Sequence, residues 1–177
     1  SNLWILAAGA PPRPLTRDPA WFDMKAGFTR DGSRVLYSRR PAAGGPHDIA
    51  SIAPDGSDLR ILASEPRSDD HSARPSPARD EFAFVSDRSG SFDVYVADLD
   101  GEHLRPITRT PDVDEFAPRW SPDGERLVVI GTDRDVGRPT LEDPESLALT
   151  RVRVLDREGR LLFETTGFNA DWMPPWP

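Results

Sequence analysis

The chain has 177 residues, 37% of them hydrophobic, which is enough for one domain with a buried core and excludes a compositionally disordered polymer. The formal charge of −8 argues against nucleic acid, which needs clustered Lys and Arg, and leaves basic proteins, peptide amino termini or cations as partners. No apolar run approaches the length of a membrane-spanning helix, and the absence of cysteine excludes disulfides, cysteine-ligated zinc and thiol nucleophiles.

The first residues, Ser1-Asn2, read as a remnant of tag removal, so a native start and any targeting segment are expected to precede them. From there the chain is a succession of short strands. Asn2–Leu6 runs into a Gly9 turn and a strand at Arg13–Thr16. Arg34–Ser38, Asp48–Ile52 and Leu59–Leu62 follow, then Glu81–Ser86, Asp93–Ala97 and Arg105–Thr108. Arg126–Ile130, Thr150–Val154 and Arg160–Phe163 complete the series. These segments are β-branched or aromatic and are bounded by Gly and Pro, with no sustained helical periodicity.

The strands recur with a period. Turns ending in Gly9, Gly56, Gly101 and Gly159 are spaced by 47, 45 and 58 residues. A second marker keeps step: Phe28-Thr29-Arg30-Asp31-Gly32, Pro75-Ser76-Pro77-Ala78-Arg79, Trp120-Ser121-Pro122-Asp123-Gly124, and the start of a fourth copy at Trp176-Pro177. Four short strands in a repeat of roughly 45 residues make one blade of a β-propeller. The expected fold is therefore all-β: a single propeller domain over 1–177, with repeats at about 2–47, 48–92, 93–149 and 150–177.

The string Pro118-Arg119-Trp120-Ser121-Pro122-Asp123-Gly124-Glu125-Arg126-Leu127 resembles the signature of the TolB-like β-propeller repeat. Ser86-Asp87-Arg88-Ser89-Gly90, Asp93-Val94-Tyr95 and Asp98-Leu99-Asp100-Gly101 continue the likeness, while Pro75 and Ala78-Arg79 depart from it. With strands A to D labelled outward from the axis, the chain reads C-D, three times A-B-C-D, then A. It is either a segment of a larger propeller, which is favoured, or a four-blade ring whose end pieces share a blade.

Strand order puts the D–A and B–C loops on one face and the Asp-Gly turns on the other. The first face carries an insertion within Arg134–Leu147 and a recurring acidic position: Asp23, Asp70, Glu115 and Asp171. Met24, His71, Phe116 and Trp172 follow these residues. A ring of carboxylates could hold a cation, a basic side chain or a peptide amino terminus, and the same residues could simply shape the turn in each blade. The large neighbours, His71 and Trp172 among them, read first as packing between blades and second as binding groups.

No catalytic residue, metal site or cofactor is expected. His47, His71 and His103 occupy different places in their repeats, and no zinc, nucleophile-elbow or phosphate-loop motif occurs. Asp98-Leu99-Asp100-Gly101 lacks the ligands of a calcium loop. The resemblance implies a bacterial cell-envelope or periplasmic module that binds a protein or peptide partner, with no membrane insertion. The alternative it implies is the substrate-gating propeller of a prolyl oligopeptidase-type peptidase, with catalysis elsewhere on the polypeptide.

Overall fold

The computed structural model describes residues 2–136 and 149–173, where the regular elements are strands and one short 3₁₀ turn, Arg134–Val136. β1 (Trp4–Ile5) and β2 (Arg13–Pro14) form a two-stranded sheet. Three four-stranded sheets follow, each an antiparallel meander in sequence order. Blade I contains β3 (Trp21–Phe28), β4 (Val35–Pro41), β5 (Asp48–Ile52) and β6 (Arg60–Ala63). Blade II contains β7 (His71–Pro75), β8 (Glu81–Ser86), β9 (Asp93–Asp98) and β10 (Arg105–Pro106). Blade III contains β11 (Val113–Trp120), β12 (Arg126–Asp133), β13 (Thr150–Asp156) and β14 (Leu161–Thr166). The phase is the one the repeat predicts: half a blade, then three whole ones. Residues 171–173 hold no strand, and the remainder of the expected last strand A lies outside the described residues, as does most of the expected insertion.

The central strands are buried on both faces, and strand periodicity divides their side chains between two neighbours. Phe82, Phe84, Tyr95 and Ala97 of blade II pack on Leu36, Ile49 and Leu62 of blade I. The alternate residues Ala83, Val94 and Val96 pack with Ile107 on Trp120, Leu127, Val129 and Leu155 of blade III. Leu15, with Leu3 and Ile5, covers Val35, Tyr37, Ala50 and Ile52 of blade I. A single blade has no core of its own; the cores lie between blades, as in other stacked repeats.

The turns join the blades at close range. Gly56, Gly101 and Gly159 all have positive φ, and a side chain at any of them would meet a carbonyl of the preceding blade: Leu15, Leu62 and Ile107 respectively. Arg157 of blade III reaches back to Glu81 of blade II at 2.8 Å.

The two ends of the arc lack such neighbours. Gly9 occupies the same turn as Gly56 but has nothing within 4 Å. Thr165 occupies the repeat position of Leu15, Leu62 and Ile107, six residues after the turn glycine, yet it is exposed where they are 5–8% exposed. β14 is exposed along its whole length. The described residues thus form an open arc and do not close a four-blade ring.

Candidate functional site

The innermost strand of every blade carries the same irregularity. Strand pairing shifts between Met24 and Gly27, between His71 and Arg74, and between Phe116 and Arg119. Within the shifts, Lys25, Ser72 and Ala117 have φ of 55, 60 and 52°. This left-handed conformation costs a residue with a side chain about 1–2 kcal/mol. Such bulges re-aim the side chains around them, and strain of this kind gathers at functional sites.

The acidic position stands immediately before each bulge, and its side chains turn inward. Asp23 and Asp70 are buried, as is Glu115, and each faces an arginine. Arg39 Nε lies 3.7 Å from Asp23, Arg88 Nη2 lies 2.9 Å from Asp70, and Arg153 is in tight contact with Glu115. Burial raises the pKa of all three acids, opposed by hydrogen bonds and the arginines; Glu115 is pushed up to about 7. Asp171 differs in being exposed, with Arg119 3.6 Å away. Trp172 lies against blade III, its indole Nε1–H donating to the Arg119 carbonyl at 3.0 Å.

The preceding acid clasps adjacent blades. The His47 amide donates to Asp69 Oδ1 and the Asp70 amide donates back to the His47 carbonyl, both at 2.9 Å. Blade III repeats the device: the Phe92 amide donates to Asp114 and the Glu115 amide to the Phe92 carbonyl. The B–C loops of blades I and II are thereby each tied to the next D–A loop, which makes one continuous face.

A belt of rings crosses that face. His47 and His71 stand 6.1 Å apart, His71 and Phe92 5.5 Å, and Phe92 and Phe116 5.4 Å. B–C loop and strand-A residues alternate along it. The large residues after the acids pack between blades, His71 against His47 and Phe116 against Phe92, and Met24, His71 and Phe116 also line a recess of about 380 Å³ with Lys25, His47, Asp69, Ser72, Ile130 and Phe168. Sequence reading set the histidines apart, because position in the repeat does not reveal that a B–C loop meets the next blade's strand A.

The polar groups of the recess are ordered. Lys25 Nζ donates to Ser72 Oγ at 2.9 Å, and that hydroxyl is 2.9 Å from His71 Nδ1. His47 Nδ1 is 2.6 Å from Asp69. Burial disfavours the Asp69 carboxylate, but the His47 hydrogen bonds and the two imidazoles bring its pKa below the ordinary value. Further along the inner strands, desolvation and the field of Arg119 lower the pKa of Arg74. Among the described residues no three His, Asp or Glu side chains gather as a metal site.

Known proteins share this architecture. No protein-family model matches the chain. A TolB-like protein of Agrobacterium tumefaciens superposes with a TM-score of 0.73 at 23% identity, over 97% of this chain and 61% of the other. The chain has the TolB-like propeller fold. An uncharacterised protein of Agrobacterium fabrum is 28% identical over 99% of this chain. The match spans 57% of that relative's length. Prolyl oligopeptidase B from Galerina marginata, bound to a 25mer macrocyclization substrate, matches with a TM-score of 0.67 at 12% identity, over 94% of this chain and 23% of the enzyme.

Proposed function

We propose that this TolB-like propeller chain is a non-catalytic docking module, which binds a protein or peptide partner of the bacterial cell envelope on the D–A/B–C face. The observation that carries the reading is the ring belt His47–His71–Phe92–Phe116, which lies over three left-handed strand-A residues. Half-buried aromatic side chains beside a recess are the usual anchors of a partner. The acidic position serves this face from beneath: Asp23, Asp70 and Glu115 hold arginines and fix the bulges, and His71 and Trp172 are the groups nearer the partner. The fold resemblance supports a periplasmic or envelope setting.

The gating propeller of a peptidase is the second reading, favoured by the likeness to prolyl oligopeptidases. The likeness to the TolB-like protein of Agrobacterium tumefaciens, at the higher TM-score of 0.73, supports the first.

The test is capture from a solubilised cell-envelope extract by the wild type, by a Phe92→Ser/Phe116→Ser variant, and by an Arg30→Ser/Glu125→Ser variant on the opposite face. Docking as described predicts one partner lost with the first variant and retained with the second. Retention by both, with the fold confirmed by circular dichroism, would reject the face.

A further inference from the structure

The sequence suggests that the acidic position makes this face attractive to a cation or an amino terminus. The side chains cover most of that charge: of the four acids only Asp171 is exposed, and it lies 3.6 Å from Arg119. Asp23, Asp70 and Glu115 are buried against arginines, and Asp69 is engaged by His47. The innermost strands carry Lys25 in β3, Arg74 in β7 and Arg119 in β11. Lys25 is the chain's sole lysine among 22 basic residues. It is solvent-exposed at the recess and held in a left-handed conformation, with its ammonium on Ser72.

We propose that this recess binds the C-terminal carboxylate of an extended peptide ending in an apolar residue. The inference rests on the docking role proposed above and names the chemical group that is docked. An ammonium is a compact point charge with three donors, and the Ser72 hydroxyl beside it can donate as well. A carboxylate at Lys25 takes hydrogen bonds from both, whereas an amine there meets a like charge. Met24, Phe116, Ile130 and Phe168 form the apolar wall of the same recess. A C-terminal residue carries its carboxylate and its side chain on one carbon, so a single residue reaches the ammonium and the wall together. An internal Asp or Glu presents the charge without the apolar group. Capture of a terminal carboxylate by oriented donors is an established mode of peptide recognition.

Because Lys25 is the sole lysine of these 177 residues, ¹³Cε-lysine labelling of this chain yields a single side-chain resonance. Three probes are titrated: acetyl-Gly-Gly-Leu as the free acid, the same peptide as its C-terminal amide, and acetyl-Gly-Asp-Gly amide. The expected result is a saturable shift with the free acid, at least tenfold weaker binding of the other two, and at least tenfold weaker binding of the free acid to Lys25→Met. No saturable shift with the free acid, or equal shifts with the amide or the internal-Asp peptide, would overturn the proposal. Those outcomes leave the docking face standing if Phe92→Ser/Phe116→Ser still abolishes partner capture. If that capture is insensitive to the face while the Lys25 resonance still titrates, the docking reading fails alone.

Discussion

Arg88 Nη2 donates to both carboxylate oxygens of Asp70, at 3.1 and 2.9 Å, and Asp70 has no solvent-exposed surface. The guanidinium also lies 5.1 Å from the Tyr95 ring centroid, so one arginine links the acidic position to the core between blades I and II. Removing one partner of a buried pair strands the other charge, at a cost of about 3–5 kcal/mol. Arg88→Ala should destabilise the protein by about 3 kcal/mol at pH 7, and adding Asp70→Asn should recover part of that loss. A double-mutant cycle in urea reads the coupling; strictly additive losses would mean that the two side chains act independently.

Glu115 makes stability depend on pH. Burial lifts its pKa from 4.5 to about 7, so the folded protein holds this proton more tightly than the unfolded chain does. The stabilisation is complete below the unfolded pKa and is lost as pH rises through the folded one. Glu115→Gln should therefore gain on the wild type between pH 4.5 and 8, by about 3 kcal/mol at most. Parallel stability profiles of the two proteins across that range would contradict the buried, proton-retaining carboxylate.

Equivalent glycines should differ in their tolerance of a side chain. Gly9 and Gly159 share a positive φ in the same turn of the repeat. A Cβ at Gly159 would overlap the Ile107 carbonyl oxygen, while one at Gly9 meets nothing within 4 Å. Gly9→Ala should cost only the conformational strain, about 1 kcal/mol, and Gly159→Ala a further 1–3 kcal/mol or so from overpacking. Equal midpoints in chemical denaturation would mean that the blades do not meet at this turn.

The repeat was legible because its markers are local. Asp-Gly turns and apolar alternation recur in register, and each depends on a few neighbouring residues. The acidic position was legible for the same reason. Its arginines were not: Arg39 comes from β4, Arg88 from the loop after β8 and Arg153 from β13, three different places in the repeat answering one recurring carboxylate. Gly131 shows how far this depends on packing, since the Arg153 side chain passes 3.2 Å from where its Cβ would be. The pairing of His47 with His71 was hidden likewise, because it joins a B–C loop to the neighbouring blade. Exposure of Thr165 beside the burial of its repeat equivalents Leu15, Leu62 and Ile107 appears only once the blades are stacked.

The docking face is the central claim, and hydrogen–deuterium exchange of the partner complex tests it most directly. Docking on the D–A/B–C face predicts new protection at residues 69–72, 113–117 and around His47 and Phe92, with exchange unchanged in the turns at 53–58, 98–102 and 121–126. Protection confined to those turns, with the bulges around Lys25, Ser72 and Ala117 exchanging as in the free protein, would contradict it.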